Sequence, residues 1–421
     1  MINRPRVVVV YDMGSASPSQ LVEAAATVPC EVVLALADTP HSHQMADVVP
    51  HLSRTIELFG LSTAEAVDRI RAVEPSGIVT FSEHQLRLTA DLAAELGLPN
   101  HSQATVFGLT DKFEQRRLFA AAGLDVPRFM RISSRSCADE IVDTVRLPTV
   151  IKPAFGASSR DTYLVRDRDR LEQLLESELD DRYFAGDPTL VAEEFIGRAP
   201  VSPPWGDYLA IDCVTVEEGV TLPVFVSGKF TFGEPFRERG AYTPALLDPR
   251  TVEEATALAV RAIHALGVVR GISDVELALT PTGPQVIEVN GRLGGWVNDL
   301  AMRSYIAHPI ALALRSALGL DLRPAITAPA GLPRQVTFHY LLLSPQDAIS
   351  IRSLGSPAAL RRIEGVDRVS LLKHPGDALD WREGTGATTI ASIQGTCDSA
   401  EQLKSLVDEI ESLGFAEYEY S

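Results

Sequence analysis

Residues 271–295 read GISDVELALTPTGPQVIEVNGRLGG. Val275, Leu277 and Leu279 alternate with Asp274, Glu276 and Ala278, the period of a strand with one polar face. After the turn-forming stretch Thr280–Pro284 comes a second strand, Val286–Asn290, with Glu288 and Asn290 expected on one face and Ile287 and Val289 on the other. Pairing around Thr282 puts Glu276 opposite Glu288. Directly opposed like charges destabilise a hairpin, so a cation is expected between them. Mg²⁺, hard and oxygen-seeking, suits two carboxylates and an amide, with phosphate oxygens completing its shell. The bland alternative is that both glutamates face solvent, as glutamates usually do. Against it stands Arg292, which follows among glycines that let a ligand approach the backbone closely.

Working outward, Thr251–Leu266 has the spacing of a helix and closes on Gly267. Leu190–Phe195 and Tyr208–Val216 read as strands, separated by the proline-containing loop Gly197–Gly206. The apolar run Thr149–Ile151 ends in Lys152, a charge that needs a partner there, and small residues follow from Ala154 to Ser159. Thr110 and Asp111 precede a helix ending at Gly123, and Asp111 with Glu114 forms a capping-box pattern.

In the first hundred residues Val7–Val10, Glu31–Leu36 and Gly77–Phe81 read as buried strands, alternating with helices at Gln20–Ala26 and Ala64–Val73, the βαβ pattern of a parallel sheet. Leu86–Leu96 is a further helix, closed by Gly97 and Pro99. At the other end, Pro324–Pro333 reads as a linker. Beyond it Gln335–Leu343, Val366–Leu372 and Thr388–Gln394 read as strands and Ser399–Leu413 as a helix, together a separate small α+β domain.

With 421 residues, 45% of them hydrophobic, the chain has material for two to four domains. A net charge of −18 repels a phosphate backbone, and no basic stripe interleaved with aromatics overrides it, so nucleic acid is excluded as a partner. No apolar run approaches a membrane span or a signal segment. Cys30, Cys137, Cys213 and Cys397 are far apart without CxxC pairing, which points to free thiols in a reducing cytoplasm. His264 and His308 lie in helical patterns and read as packing or surface residues.

The segment Ile287-Glu288-Val289-Asn290-Gly291-Arg292 resembles the metal-binding strand of ATP-grasp enzymes, with Glu276 in the place of the other metal carboxylate. The resemblance implies MgATP (or MnATP) with two metal ions on Glu276, Glu288 and Asn290, and Arg292 on phosphate and the reacting centre. Thr110-Asp111-Lys112 and Val150-Ile151-Lys152-Pro153 resemble the family's two lysine motifs, which implies that Lys112 and Lys152 reach nucleotide phosphates. Phe155 to Ser159 resembles the loop that folds over the phosphates, with Gly156, Ser158 and Ser159 as donors. Ala192-Glu193-Glu194-Phe195-Ile196 resembles the hinge strand that holds adenine, implying contacts from Glu193, Glu194, Phe195 and Ile196. Asp207 stands nearest to the family's ribose carboxylate, provided the proline loop is an insertion.

The fold so implied is a multidomain α/β and α+β ATP-grasp architecture. A Rossmann-like domain spans residues 1–105, a small subdomain 106–190, a large subdomain with the metal and catalytic residues 191–325, and a small C-terminal α+β domain 334–421. Arg292-Leu-Gly-Gly-Trp296 and Phe236–Tyr242 resemble the bacterial L-amino-acid ligases that make dipeptides. By that resemblance Gly294 and Trp296 line the amino-acid pocket, although a tryptophan packs in a core as readily. Arg237 and Arg239 would clamp a substrate carboxylate, unless they belong to a charged surface turn. The expected reaction joins a small-molecule carboxylate and an amine by way of an acyl phosphate, releasing ADP, as in natural-product biosynthesis, and family analogy suggests a homodimer. A small-molecule kinase on the same fold and a non-catalytic nucleotide or metabolite sensor are the alternatives. A carboxylase ranks last, for want of a biotin-accepting motif.

Overall fold

The computed structural model describes residues 4–184, 189–217, 219–304, 308–322 and 335–420. The expected linker Pro324–Pro333, and with it the boundary at 325, lies outside the described residues.

The N-terminal sheet is parallel and consists of β1 (Arg6–Tyr11), β2 (Glu31–Leu36), β3 (Arg54–Glu57) and β4 (Pro75–Thr80), in the order β3-β2-β1-β4. Its crossovers begin cleanly because the helices Pro18–Thr27 and Thr63–Arg71 carry complete capping boxes at Ser17 and Ser62. Gly97 closes Leu86–Leu96 in the left-handed conformation, at φ 68°. The strand order reverses between β1 and β4, so the crevice beyond their carboxyl ends is the topological switch point where ligands settle in such sheets.

A helix, Gln103–Thr110, leads into the helix Lys112–Ala121. Asp111 ends the first and caps the second, accepting from the Glu114 N–H at 2.8 Å. The reciprocal half of the expected box is missing, because the Glu114 carboxylate pairs with Arg117 instead. A four-stranded antiparallel sheet follows, with β5 (Phe129–Ile132), β6 (Thr149–Pro153), β7 (Tyr163–Val165) and β8 (Leu190–Glu194) in the order β5-β8-β6-β7.

The largest sheet contains β9 (Trp205–Glu217), β10 (Val220–Phe230), β11 (Gly240–Thr243), β12 (Gly271–Thr280), β13 (Gly283–Asn290) and β14 (Val336–Leu343). After β14 come β15 (Ala348–Leu354), β16 (Val366–Leu371), β17 (Thr389–Cys397) and β18 (Ala416–Tyr420), of which β15 and β18 form a separate pair. The large sheet runs β13-β12-β9-β10-β11-β14-β17-β16. The tail is therefore not set apart as a sheet of its own, as its sequence suggested. β14 pairs with β11 through Gly240–Tyr340 to Thr243–Thr337 and continues the ladder. Phe230 and Tyr242 share a core with Phe338, Tyr340, Ile393 and Leu406.

One face of the β12–β13 hairpin is apolar and buried. Val275, Leu277, Leu279, Val286 and Val289 pack with Ala255, Ala259 and Ile263 of the helix Pro249–Ala265, which leaves the polar face turned to a cleft. No helix among the described residues is long and apolar enough to cross a membrane.

Candidate active site

Pairing registers assemble the polar face. Glu276 lies opposite Glu288, as the hairpin pattern predicts, and Asp274 opposite Asn290. On the other side of β12, Ala210 of β9 faces Glu276 and Asp212 faces Asp274. The ladder slips by one residue between Glu276 and Leu277, so that Leu277 pairs with Val286 and Ile287 is extra. This bulge turns Ile287 into the cleft beside Glu288, contrary to the simple alternation, while Val286 and Val289 keep to the core. Burial and the neighbouring Glu288 raise the Glu276 carboxyl above its ordinary range, against the pull of Lys229. Lys229 is buried and ion-paired with Glu238.

Among the described residues no three His, Cys, Asp or Glu side chains converge as a self-contained metal cage. The set at hand is two carboxylates and an amide, with Asn290 Nδ2 3.4 Å from Asp274. Such a set suits an ion that keeps waters and phosphate oxygens in its shell.

Opposite the hairpin, Lys112 Nζ donates to the Gly156 carbonyl at 2.7 Å and stands 3.6 Å from Glu288. Lys152 is buried, 2.8 Å from Glu193. Arg116, fully buried, grips the same carboxylate through Nε and Nη2 at 3.1 and 3.0 Å and donates to the Val286 and Ile287 carbonyls. Burial alone would raise Glu193, but the two cations outweigh it and hold it down at about 2. Glu193 was expected to face a nucleotide. Both of its oxygens are instead occupied by cations, so although it lines the cleft it acts as a tie between helix and sheet. In the sequence Arg116 stands with Arg117 just beyond the Thr110-Asp111-Lys112 motif, with no sign of the carboxylate it grips. Its neighbour Gln115 brackets β13, accepting from Val289 N–H at 2.8 Å and donating to Val289 O at 2.9 Å.

Glu194, half-buried and 3.9 Å from Arg128, lines the cleft with Phe195 and Ile196. The Phe195 N–H is already given to the Pro148 carbonyl. Asp207 is not in the cleft wall. It sits by Arg198, with burial raising its carboxyl and Arg198 lowering it. Arg198 itself lines the cleft, and its buried Nη1 has no hydrogen-bond partner. The signal for it was an arginine directly after the hinge strand.

Gly156 has φ +151°, and Ser158 and Ser159 are both left-handed at 59°. The Ser159 hydroxyl donates to Phe236 O at 2.7 Å, and Ser158 O accepts from the Thr385 N–H at 3.0 Å. Beyond the hairpin, Arg292 Nη1 donates to Asp274 at 3.1 Å, and its Nε lies 3.5 Å from Glu83, which follows β4 at the switch point. Burial raises Glu83 to about 7 despite Arg292 and Lys112. Sequence reasoning missed Glu83, although Ser82-Glu83-His84 directly after a buried strand was a readable signal. The Gly294 N–H donates to Asp212 at 2.8 Å, and a Cβ there would run into Val297 and the Asp212 and Asp274 carboxyls. Burial and Asp274 push Asp212 well above the carboxylate range. Trp296, left-handed at φ 60°, lies with its ring 5.0 Å from that of His339 in β14.

Arg237 and Arg239 face away from this cleft. Arg237 donates to the Ser344 and Glu234 carbonyls, and Arg239 to Tyr340 and Glu411. The expected carboxylate clamp is thus replaced by bonds that fasten β11 to the tail.

Residues 109–296 match the family described as the ATP-grasp domain. Human carnosine synthase 1 is 28% identical over 333 residues, covering 73% of this chain and 39% of that protein. The alanine–anticapsin ligase of Bacillus subtilis is 24% identical over 272 residues, 62% of this chain and 54% of that one. The chain thus spans about half the length or less of these curated relatives. Among solved structures, L-amino acid ligase from Bacillus licheniformis superposes over 100% of both chains with TM-score 0.78 at 21% identity, which shows that the two share a fold.

Proposed function

We propose that this chain, which carries an ATP-grasp domain over residues 109–296, is an ATP-dependent carboxylate-amine ligase joining an amino acid to the amine of a second amino acid or related compound. The observation that carries the reading is a single cleft with Lys112 and Lys152 on one wall and the Glu276–Glu288 pair on the other. The relatives that act as amino-acid ligases support the choice of substrates.

Lys112 and Lys152 serve as point charges for the phosphates of ATP. Glu276, Glu288 and Asn290 fit Mg²⁺ by donor type: burial first and then the like charge of Glu288 raise the Glu276 carboxyl, and a divalent ion between the two carboxylates would offset that repulsion. Bound there, with a second ion as part of the proposal, Mg²⁺ would draw charge from the γ-phosphate. The substrate carboxylate attacks the γ-phosphorus in line, the bond to the ADP oxygen breaks, and an acyl phosphate forms. The neutral amine of the second substrate adds to the acyl carbon. Arg292, held from two sides by Asp274 and Glu83, stabilises the oxyanion. Phosphate then leaves with the electrons of the C–O bond, and the amine gives up its proton. Closure of the Gly156–Ser159 loop keeps water from the acyl phosphate. Gly294 and Trp296 belong to the wall of the amino-acid pocket. We place the enzyme in the cytoplasm, in keeping with four buried free cysteines, and as a homodimer by family analogy.

The test is a matrix of paired amino acids with MgATP, scored for ADP and by mass spectrometry for new amides. An amide should form with ADP, and Arg292→Ala should lower kcat about 100-fold. AMP release would exclude the acyl phosphate, and a stable phosphorylated product without added amine would make the chain a kinase.

A further inference from the structure

The loop Gly156–Asp161 is gripped by the tail. Ser158 O accepts from the Thr385 N–H at 3.0 Å, and Asp161 N–H donates to Arg382 O at 2.8 Å. The side chain of Arg160 is ion-paired with Glu383, and Tyr163 meets Trp381 edge-on at 5.3 Å. Gly384 lies between these contacts at φ +87°, and a Cβ on it would collide with the Ser158 carbonyl oxygen. The Thr385 hydroxyl in turn accepts from the Glu238 N–H at 3.0 Å, and the Glu238 carboxylate holds Lys229 among Glu276 and Asp274. Thr385 therefore touches both walls of the cleft, the loop through its amide and the carboxylate sheet through Glu238.

We propose that Trp381–Thr385 is a latch that fixes the phosphate-covering loop in its closed position, with Gly384 and Thr385 as positioning residues for the nucleotide. This rests on the reading of the cleft as an ATP site. The physical case is that a loop with Ser158, Ser159 and Asp161 all at positive φ has little local reason to hold one shape. Two backbone hydrogen bonds and an ion pair from a neighbouring rigid segment supply that reason. Ordering done in advance by the tail is ordering that nucleotide binding does not have to supply.

The experiment uses the full chain and MgADP, with affinity read by calorimetry and loop exposure read by tryptic cleavage after Arg160. Gly384→Val should weaken MgADP about tenfold and speed cleavage at Arg160, with the far-UV circular dichroism of the unliganded chain unchanged. Thr385→Pro suits the first position of the short helix Thr385–Thr388 and deletes the bonds to Ser158 and Glu238 while keeping the carbonyl that accepts from Thr388 and Thr389. It should act in the same direction, whereas Thr385→Ser keeps both bonds and should restore wild-type affinity and cleavage. Folded Gly384→Val and Thr385→Pro variants that bind MgADP as the wild type does, with Arg160 equally protected, overturn the latch. A wild-type chain that binds no MgADP overturns the nucleotide reading, and the latch falls with it.

Discussion

The ring of His339 lies against Trp296, its Nε2 2.8 Å from Ser392 Oγ and its Nδ1 3.3 Å from Gln394 Nε2. Burial, with Arg303 and Arg368 nearby, lowers its pKa from the usual 6.5 to about 3. A base whose proton affinity is depressed on folding contributes fully above its unfolded pKa, and that contribution is lost as pH falls toward the folded value. The stability gap between wild type and His339→Gln should therefore narrow steadily from about pH 6.5 down to about pH 3, as read by urea unfolding at a series of pH values. A constant gap would mean that the ring is charged or solvated in the folded chain. Arg116 and Glu193 make the complementary point about what a sequence can reveal. Lys152 was marked because a charge ending an apolar run needs a partner, but neither the partner's position nor the second cation on it follows from local pattern. The first comes from β6 pairing with β8 and the second from helix Lys112–Ala121 crossing β8 and β13, both long-range facts.

At the scale of elements, the two strands of the hairpin β12–β13 and the facing of Glu276 and Glu288 were legible, because period-two alternation and a turn rich in Pro and Gly mark them. The bulge at Ile287 was not, since a single extra residue leaves no mark on an apolar run. β3, an edge strand reading Arg-Thr-Ile-Glu with mostly polar exposure, was equally invisible. So was the helix Gln103–Thr110, which is apolar on nearly every side and shows no stripe. Gln115 stabilises β13 from outside by taking both the N–H and the C=O of Val289, groups that an edge strand leaves unpaired on its outer side. Gln115→Leu should cost about 2 kcal/mol for the stranded polar groups, measured by denaturant unfolding. It should also lower kcat more than KM, because the carboxylates on β13 lose their fixed spacing. A stability loss with unchanged turnover would show that β13 needs no such support.

Across the whole molecule, the parallel N-terminal sheet and the β12–β13 hairpin were readable from their patterns, whereas the tail's attachment was not. Strands separated by a proline-rich stretch look independent in sequence, yet β14 pairs with β11 on one side and β17 on the other. A chain ending at residue 322 would leave β11 as a bare edge and strip Phe230 and Tyr242 of their packing partners. It should elute as aggregate in size-exclusion chromatography with light scattering. A monomeric, MgADP-binding fragment would show that the tail is dispensable to the fold.

The unbroken ladder from β13 to β16 also bears on how such a protein can change over time. Exchange of material between related chains succeeds where few contacts cross the join, and a break between β11 and β14 would cut a hydrogen-bonded seam, a shared core and the grip on the phosphate loop at once. Residues from β9 to β18 therefore travel as one inherited block. If the chain is the ligase proposed above, new amine or acid preferences are reached by point changes in the cleft rather than by acquiring a different tail.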